Sequence, residues 1–326
     1  MTKRKSAALF AATVLISICV VFSGIPSAAA QSAKKVDFFL ATSGPGSSFY
    51  PLSVALAEVW KKNIPGLNVS LAPGGGVGSV VATGTAKAHV GMTLSSAAVD
   101  GIKGRPPFPG PHPDVRALAS LDPQAFQFLA YKRSGLTKLE ELAGKRVYVK
   151  PKRFAAHAIN LLVLKVHGMT LKSLSKAETV SKPDAVNLFK DGHVDAMLWM
   201  GPVPDSLILN ASLNRPINLL RISDAKKQEL RKINPGIVPL VLPKGLYPGV
   251  DADFQTLSVP RVLVMSKDVS DDKAYSLAKT LVEKWEDLKL ADPGLKLVKV
   301  ESTATDFGVT YHPGAAKYYK ERGWMK

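Results

Sequence analysis

The chain has 326 residues, 46% of them hydrophobic, with 43 Lys and Arg against 26 Asp and Glu, a formal net charge of +17. That length is enough for two domains with a core that needs no metal or disulfide staple, and the balance of apolar and charged residues excludes wholesale disorder. The single cysteine, Cys19, excludes an intramolecular disulfide framework and any cysteine-rich zinc site.

The first thirty residues read as a secretory signal peptide. Lys3, Arg4 and Lys5 form a basic start, Ala7 to Gly24 is a largely apolar run, and Ala28-Ala29-Ala30 is an A-x-A cleavage pattern before Gln31. Cleavage is expected after Ala30, placing the mature chain in the periplasm. Cys19 is no lipidation site, because Ile18 precedes it and it lies inside the apolar run. Removing residues 1–30 takes away three positive charges and leaves +14. No later stretch reaches the roughly 18 apolar residues of a membrane span. The basic residues are dispersed and form no arm, so nucleic acid is not an expected partner. A positive field that concentrates small anions fits better.

Val36 to Ala41 reads as a buried strand, followed by the small, polar loop Thr42-Ser43-Gly44-Pro45-Gly46-Ser47-Ser48. From Phe49 the pattern turns helical, with Phe49, Leu52, Leu56, Val59 and Trp60 at three- and four-residue spacing, until Pro65-Gly66. Leu67 to Leu71 is a second strand, running into Pro73-Gly74-Gly75-Gly76-Val77-Gly78-Ser79 and a small-residue helix over Val80 to Ala86. His89 to Thr93 is a third strand, ending in Ser95-Ser96. Gly101 to Pro113 is an irregular excursion. Strands follow at Val115 to Leu121, Gln127 to Tyr131 and Val147 to Val149, then helices at Ala155 to His167 and Pro183 to Lys190. Asp195 to Met200 is a strand running into Gly201-Pro202-Val203-Pro204, and Ile217 to Ile222 and Thr256 to Met265 are strands. Helices at Asp272 to Leu288 and after His312-Pro313-Gly314 close the chain. The alternation predicts a doubly wound α/β protein.

Three successive strands thus run into loops of Gly, Ser and Thr. Ligands of open α/β sheets sit outside the carboxyl ends of the strands. Helix N-termini there offer unpaired N–H groups and partial positive charge, and hydroxyls add to an anion cradle.

The residues also resemble a known family. Thr42 to Pro51, with its Gly-rich loop ending in Phe49-Tyr50-Pro51, is similar to the corresponding loop of TAXI-family solute-binding subunits of tripartite ATP-independent periplasmic (TRAP) transporters. Arg116 to Leu121, Leu139 to Val147, Lys190 to Ala196, Tyr247-Pro248-Gly249 and His312 to Tyr319 match in family order. The resemblance implies a type II periplasmic-binding-protein fold, two α/β lobes closing on a ligand, and delivery to membrane permease subunits driven by an ion gradient. It implies no cofactor, no metal and no catalysis, a monomer, and an organic acid or amino acid as ligand. Lobe I is expected over 31–127 and 257–326, and lobe II over 128–256, with the chain crossing near Phe128 to Arg133 and Thr256 to Val264.

The candidate ligand-binding residues are Thr42, Ser43, Gly46, Ser47, Ser48, Tyr50, Gly75, Gly76, Ser79, Thr93, Ser95, Ser96, Arg153, Trp199 and Gly201. Two departures from the family pattern bear on the ligand. Gly75 to Ser79 lacks the Glu and Asn common after the second strand, and Lys152-Arg153-Phe154 replaces a Gly-Ser-Gly-Thr loop. Both changes favour a carboxylate without an amino group, since a buried unpaired ammonium is costly and Arg offers a two-pronged donor. Rival readings are an exported sensor domain, with the same fold and a signalling partner, and a periplasmic enzyme. Against the enzyme, the chain shows no G-x-S-x-G elbow and its six histidines form no metal-ligand motif.

Overall fold

The computed structural model describes residues 36–326 apart from Gly46, Arg153 and Asn214. The signal peptide expected over 1–30, and the candidate site residues Gly46 and Arg153, lie outside the described residues. β1 (Val36–Thr42) leads into α1 (Tyr50–Asn63), whose buried Leu52, Leu56 and Trp60 recur every fourth residue along one stripe. Lys61 and Lys62 complement the negative end of that helix, and Gly66 at φ +72° turns the chain into β2 (Leu67–Pro73). α2 (Val77–Gly84) begins three residues before its predicted start, directly after Gly76. β3 (Val90–Leu94) passes straight into α3 (Ser95–Ile102), so the Ser95-Ser96 loop expected from sequence is instead the first turn of a helix. β4 (Val115–Ser120), β5 (Ala125–Phe126), β6 (Leu129–Tyr131), β7 (Arg146–Tyr148), α4 (Ala155–Val166), β8 (Lys176–Glu178) and α5 (Lys182–Lys190) follow.

The single strand predicted over Asp195 to Met200 is two short ones, β9 (Ala196–Met197) and β10 (Met200–Gly201), in different sheets. Next come α6 (Ser206–Ser212), β11 (Ile217–Leu219), α7 (Asp224–Ile233) and β12 (Val238–Leu242). The run Thr256 to Met265 also divides, into β13 (Phe254–Ser258) and β14 (Arg261–Ser266), because Pro260 between them has no N–H for a ladder. The chain closes with α8 (Asp271–Glu283), α9 (Trp285–Ala291) and α10 (Pro313–Glu321).

Three sheets result, ordered β2-β1-β3-β14-β4, β10-β5-β13-β12 and β11-β6-β9-β7-β8. In the first, β1 is parallel to β2 and β3, while β14 returns from late in the sequence to lie antiparallel between β3 and β4. In the third, β7 is parallel to both β8 and β9. The middle sheet is wholly antiparallel. The third sheet is covered on both faces: Val147 and Ala196 belong to one apolar cluster with Ile159 and Val163 of α4, and Tyr148 and Met197 to another with Val186 and Phe189 of α5. This alternation follows from the two-residue period of a strand.

A buried charge cluster ties the first sheet to its surroundings. Arg261, at the start of β14, is 2% exposed. Its Nε donates to Asp122, its Nη2 to Asp292 Oδ2 at 2.6 Å, and its Nη1 to the Ser48 carbonyl at 3.0 Å. Burial works against the Arg261 charge, but the two carboxylates outweigh it and hold the guanidinium more firmly protonated than usual. Removing one member of such a cluster leaves unpaired charge in the interior. We expect Arg261→Met to cost about 3–5 kcal/mol, read as a lower urea midpoint. An unchanged midpoint would mean that the cluster adds nothing to stability.

The third sheet has a more exposed counterpart. The Asp195 carboxylate, just before β9, accepts from the Arg146 backbone N–H at 2.8 Å and from its Nε at 3.1 Å and Nη2 at 2.5 Å. These bonds hold the carboxyl below its ordinary value of 3.8, with partial burial opposing them. A depressed carboxyl stabilises the fold above its unfolded pKa and ceases to do so as pH falls through the folded value. The Tm of Asp195→Asn should therefore lie below wild type at pH 7, and the gap should close on acidification below pH 3.8. A gap that is constant with pH would remove the ion pair as its cause.

Candidate functional site

The carboxyl ends of β1, β2 and β3 carry the three loops predicted to form a cradle. Ser79 is fully buried in α2; its hydroxyl accepts from the Gly75 N–H at 2.8 Å and donates to the Ala41 carbonyl at 3.1 Å. Thr93 donates to the Gly76 carbonyl at 2.9 Å. These two side chains therefore hold the glycine loop in place. Gly75 and Gly76 sit at φ +92° and +49°, where a side chain is strained, and a Cβ on Gly75 would lie 2.5 Å from Ser43 Oγ. The first two loops thus lie side by side because glycine lets them.

The other predicted residues divide by exposure. The Thr42 hydroxyl is buried and lies 2.7 Å from that of Ser53, which donates to the Phe49 carbonyl. Ser95 donates to the Gly236 carbonyl at 2.5 Å, and the Ser96 carbonyl accepts from Asn234 at 3.0 Å. Ser43, Ser47 and Tyr50 are half-buried and Ser48 is exposed, so these four side chains remain open to a ligand. The Ser47 hydroxyl accepts from the Phe49 N–H at 3.2 Å.

The helix termini at these strand ends share a property. α1, α2, α3 and α4 have no side-chain cap, whereas α5, α6, α7, α8 and α10 are capped by Ser181, Asp205, Ser223, Ser270 and His312. α9, which continues from α8, is also uncapped. Three of these five uncapped helices touch one apolar cluster. Phe49, before α1, packs against it, and Leu94, before α3, and Ile159, in α4, belong to it together with Val147 and Val149. The carboxyl ends of β3 and β7 accordingly border the same apolar cluster.

On the third sheet, Lys150 lies 4.7 Å from the centre of the Phe154 ring, and its N–H donates to Asn160 Oδ1 at 3.0 Å. Lys152 is exposed. Trp199 is fully buried in the core under β9, and its indole N–H donates to Asp205 Oδ2 at 2.8 Å. The same oxygen pairs with Lys182 Nζ at 3.3 Å, and that ammonium lies 4.6 Å above the Trp199 ring. Gly201 completes the cluster: a Cβ there would meet Asp205 Oδ2 at 2.5 Å and Lys182 Nζ at 2.9 Å. Tyr247 anchors it to the crossing strands, donating to Gln127 Oε1 at 2.5 Å and accepting from the Asp205 N–H at 2.7 Å. Burial pushes the Tyr247 hydroxyl well above the ordinary tyrosine range, keeping it a neutral donor.

Lys182, Asp205 and Gln127 carry no sequence motif; the one linear signal among the partners is Tyr247-Pro248-Gly249. Arg261, which fixes the Ser48 carbonyl, is detectable as the only charge in the run Thr256 to Met265. Two acidic residues that an ammonium-bearing ligand could use are both occupied. Asp205 is held by Lys182 and Trp199, and Asp100 pairs with Arg105 at 3.5 Å while burial raises its carboxyl pKa. Among the described residues, no three His, Cys, Asp or Glu side chains form a group that could hold a metal ion. Two surface hollows of about 610 and 660 Å³ lie elsewhere, one along Trp285 to Glu301 and one around Arg221, Ser223 and Phe254; neither is lined by a residue of these loops.

Solved structures place this architecture. The chain superposes on a TctC solute-binding protein from Polaromonas with a TM-score of 0.54 at 14% identity, covering 78% of this chain and 86% of that one. It also matches the periplasmic aliphatic sulphonate binding protein SsuA from Escherichia coli, with a TM-score of 0.48 at 14% identity over 87% and 82% of the two chains. The fold is the α/β type II periplasmic-binding-protein fold, as expected from the sequence. The model of the NMT1-like family matches residues 40–323, nearly the whole described chain, and the protein belongs to that family.

Proposed function

We propose that this protein is a periplasmic solute-binding protein that captures a small organic anion between two lobes and delivers it to the membrane subunits of a TRAP-type transporter. The observation that carries this reading is the set of helices without side-chain caps, α1, α3 and α4, that start around the apolar cluster shared by the ends of β3 and β7. Orphan N–H groups and the positive ends of helix dipoles favour an oxyanion. In this reading residues 31–127 with 257–326 make up one lobe and residues 128–256 the other. The antiparallel middle sheet is the natural hinge, and closure about it would bring Ser43 and Ser47 towards Lys152.

The chemistry favours a carboxylate without an amino group. An ammonium on the ligand would need a free carboxylate, and Asp100 and Asp205 are both engaged. The TRAP partner and the TAXI assignment rest on the sequence resemblance, from Thr42-Ser43-Gly44 to the tail His312-Pro313-Gly314. A transport subunit binds without turnover, so ligand should raise the Tm and be recovered unchanged.

The test is a thermal-shift screen of succinate, 2-oxoglutarate, glutamate and ethanesulfonate, with each acid quantified afterwards. A Tm rise with an oxo- or dicarboxylate, and a smaller one with glutamate, is the expected result. Consumption of the acid would overturn the binding-protein reading. A strong shift with glutamate alone would overturn the charge argument.

A further inference from the structure

We infer that Lys182 is the cation that receives the anionic head group of the ligand on the third sheet's side of the cleft, and that Asp205 and Trp199 are there to hold it in place. This rests on the solute-binding reading above and names the residue that would set its preference for anions.

The placement comes first. β7, β8 and β9 are parallel, so their carboxyl ends share one edge. Lys182 opens α5 four residues after the end of β8, on the edge where β7 leads to α4 and β9 leads to Trp199 and Gly201. Gly201, whose Cβ would meet Lys182 Nζ at 2.9 Å, pairs with Ala125 in the middle sheet, so Lys182 stands beside the sheet whose strands run on into the other two.

The second point is which member of the ion pair a ligand meets. Asp205 has 5% of its side chain exposed and Lys182 has 27%. Asp205 lies behind, its Oδ2 taken by the Trp199 indole N–H and its Oδ1 by the Leu207 N–H at 3.0 Å. An ammonium has three N–H donors, and the 3.3 Å contact with Asp205 uses one. The others point away from the carboxylate. The face of Trp199 at 4.6 Å supports the charge from below without consuming a donor.

The third point is cost. A lysine in the first turn of a helix opposes the positive end of the dipole, and the Ser181 cap with Pro183 already starts α5 without it. Helix formation therefore gives no reason for a cation here. Gly201 adds a steric condition, since a side chain there would press on both Lys182 Nζ and Asp205 Oδ2. The ammonium is thus buried on one side, held at two points, and kept clear along the strand end.

The experiment uses the mature chain and the acid that shifts the Tm most in a set of succinate, 2-oxoglutarate, glutamate and ethanesulfonate. Calorimetric titration should give a Kd at least tenfold weaker for Lys182→Met, with most affinity kept by Lys182→Arg; the ligand-free Tm of Lys182→Met should fall, because the buried Asp205 loses its cation. Lysine reactivity tests the unmodified protein in parallel. Acetylation of Lys182 by an active ester, followed by mass spectrometry, should fall several-fold on saturation with that acid, while exposed lysines remote from the site, such as Lys326, stay constant. An unchanged Kd in Lys182→Met, or unchanged Lys182 acetylation on saturation, overturns the assignment and leaves the solute-binding reading standing. A wild type that binds none of the four acids overturns both. Should Lys182→Met fail to fold, the acetylation measurement decides alone.

Discussion

Arg261 holds together parts of the chain that are far apart in sequence. Its partners Asp122, Asp292 and Ser48 come from the entry to the middle sheet, from the turn after α9 and from the loop before α1. A guanidinium suits this task because its donors are fixed in a plane and point in several directions at once. Two carboxylates against one guanidinium leave the cluster short of positive charge, and neutral donors make up part of the difference: Gln124 Nε2 donates to Asp122 at 2.7 Å and the Gly294 N–H to Asp292 at 2.9 Å. The position of the first strand-end loop is therefore set from beneath, by a charge that touches no solvent. Phe49 follows from the same contact, with the Arg261 guanidinium 5.7 Å from its ring centre. That ring in turn packs against the apolar cluster on which α3 and α4 begin.

Polar groups around the strand ends separate into two kinds. Ser79, Thr93 and Ser95 spend their hydroxyls on the backbone and Thr42 on the Ser53 hydroxyl, and so fix where the loops run. A buried hydroxyl without such a partner would be costly. The half-exposed hydroxyls of Ser43 and Ser47 lie on those fixed loops. Lys182, Asp205, Trp199 and Tyr247 repeat the arrangement on the third sheet, with one half-exposed cation on a buried, fully bonded base. Rigid supports matter in a binding site because a ligand then pays less to order its partners.

Where the chain was readable from sequence, the reason is local. α1 declares itself through Leu52, Leu56 and Trp60, and β1 through an apolar run that ends in a glycine loop. Elements held by tertiary contacts were not readable. α7 has Leu230 as its only buried residue, and β8 is a three-residue edge strand with no buried side chain. The small residues of α3 give no apolar stripe, since the helix is buried almost all round. The runs around Asp195 and Thr256 appear continuous because both halves are apolar, and only the sheet that receives each half separates them.

The sequence by itself determined the α/β class, the strand-end loops of Gly, Ser and Thr, and the excess of positive charge, because each depends on neighbours along the chain. Tertiary structure alone decided which hydroxyls are spent on the backbone and which stay open. It also decided that Asp205 and Asp100 are occupied and that Lys182 stands at the third sheet's edge. The physical reason is that a charge or hydroxyl acquires its role from partners across space. Lys182 and Asp205 are 23 residues apart, and Arg261 and Ser48 are 213 apart; no periodicity in the chain connects such distances.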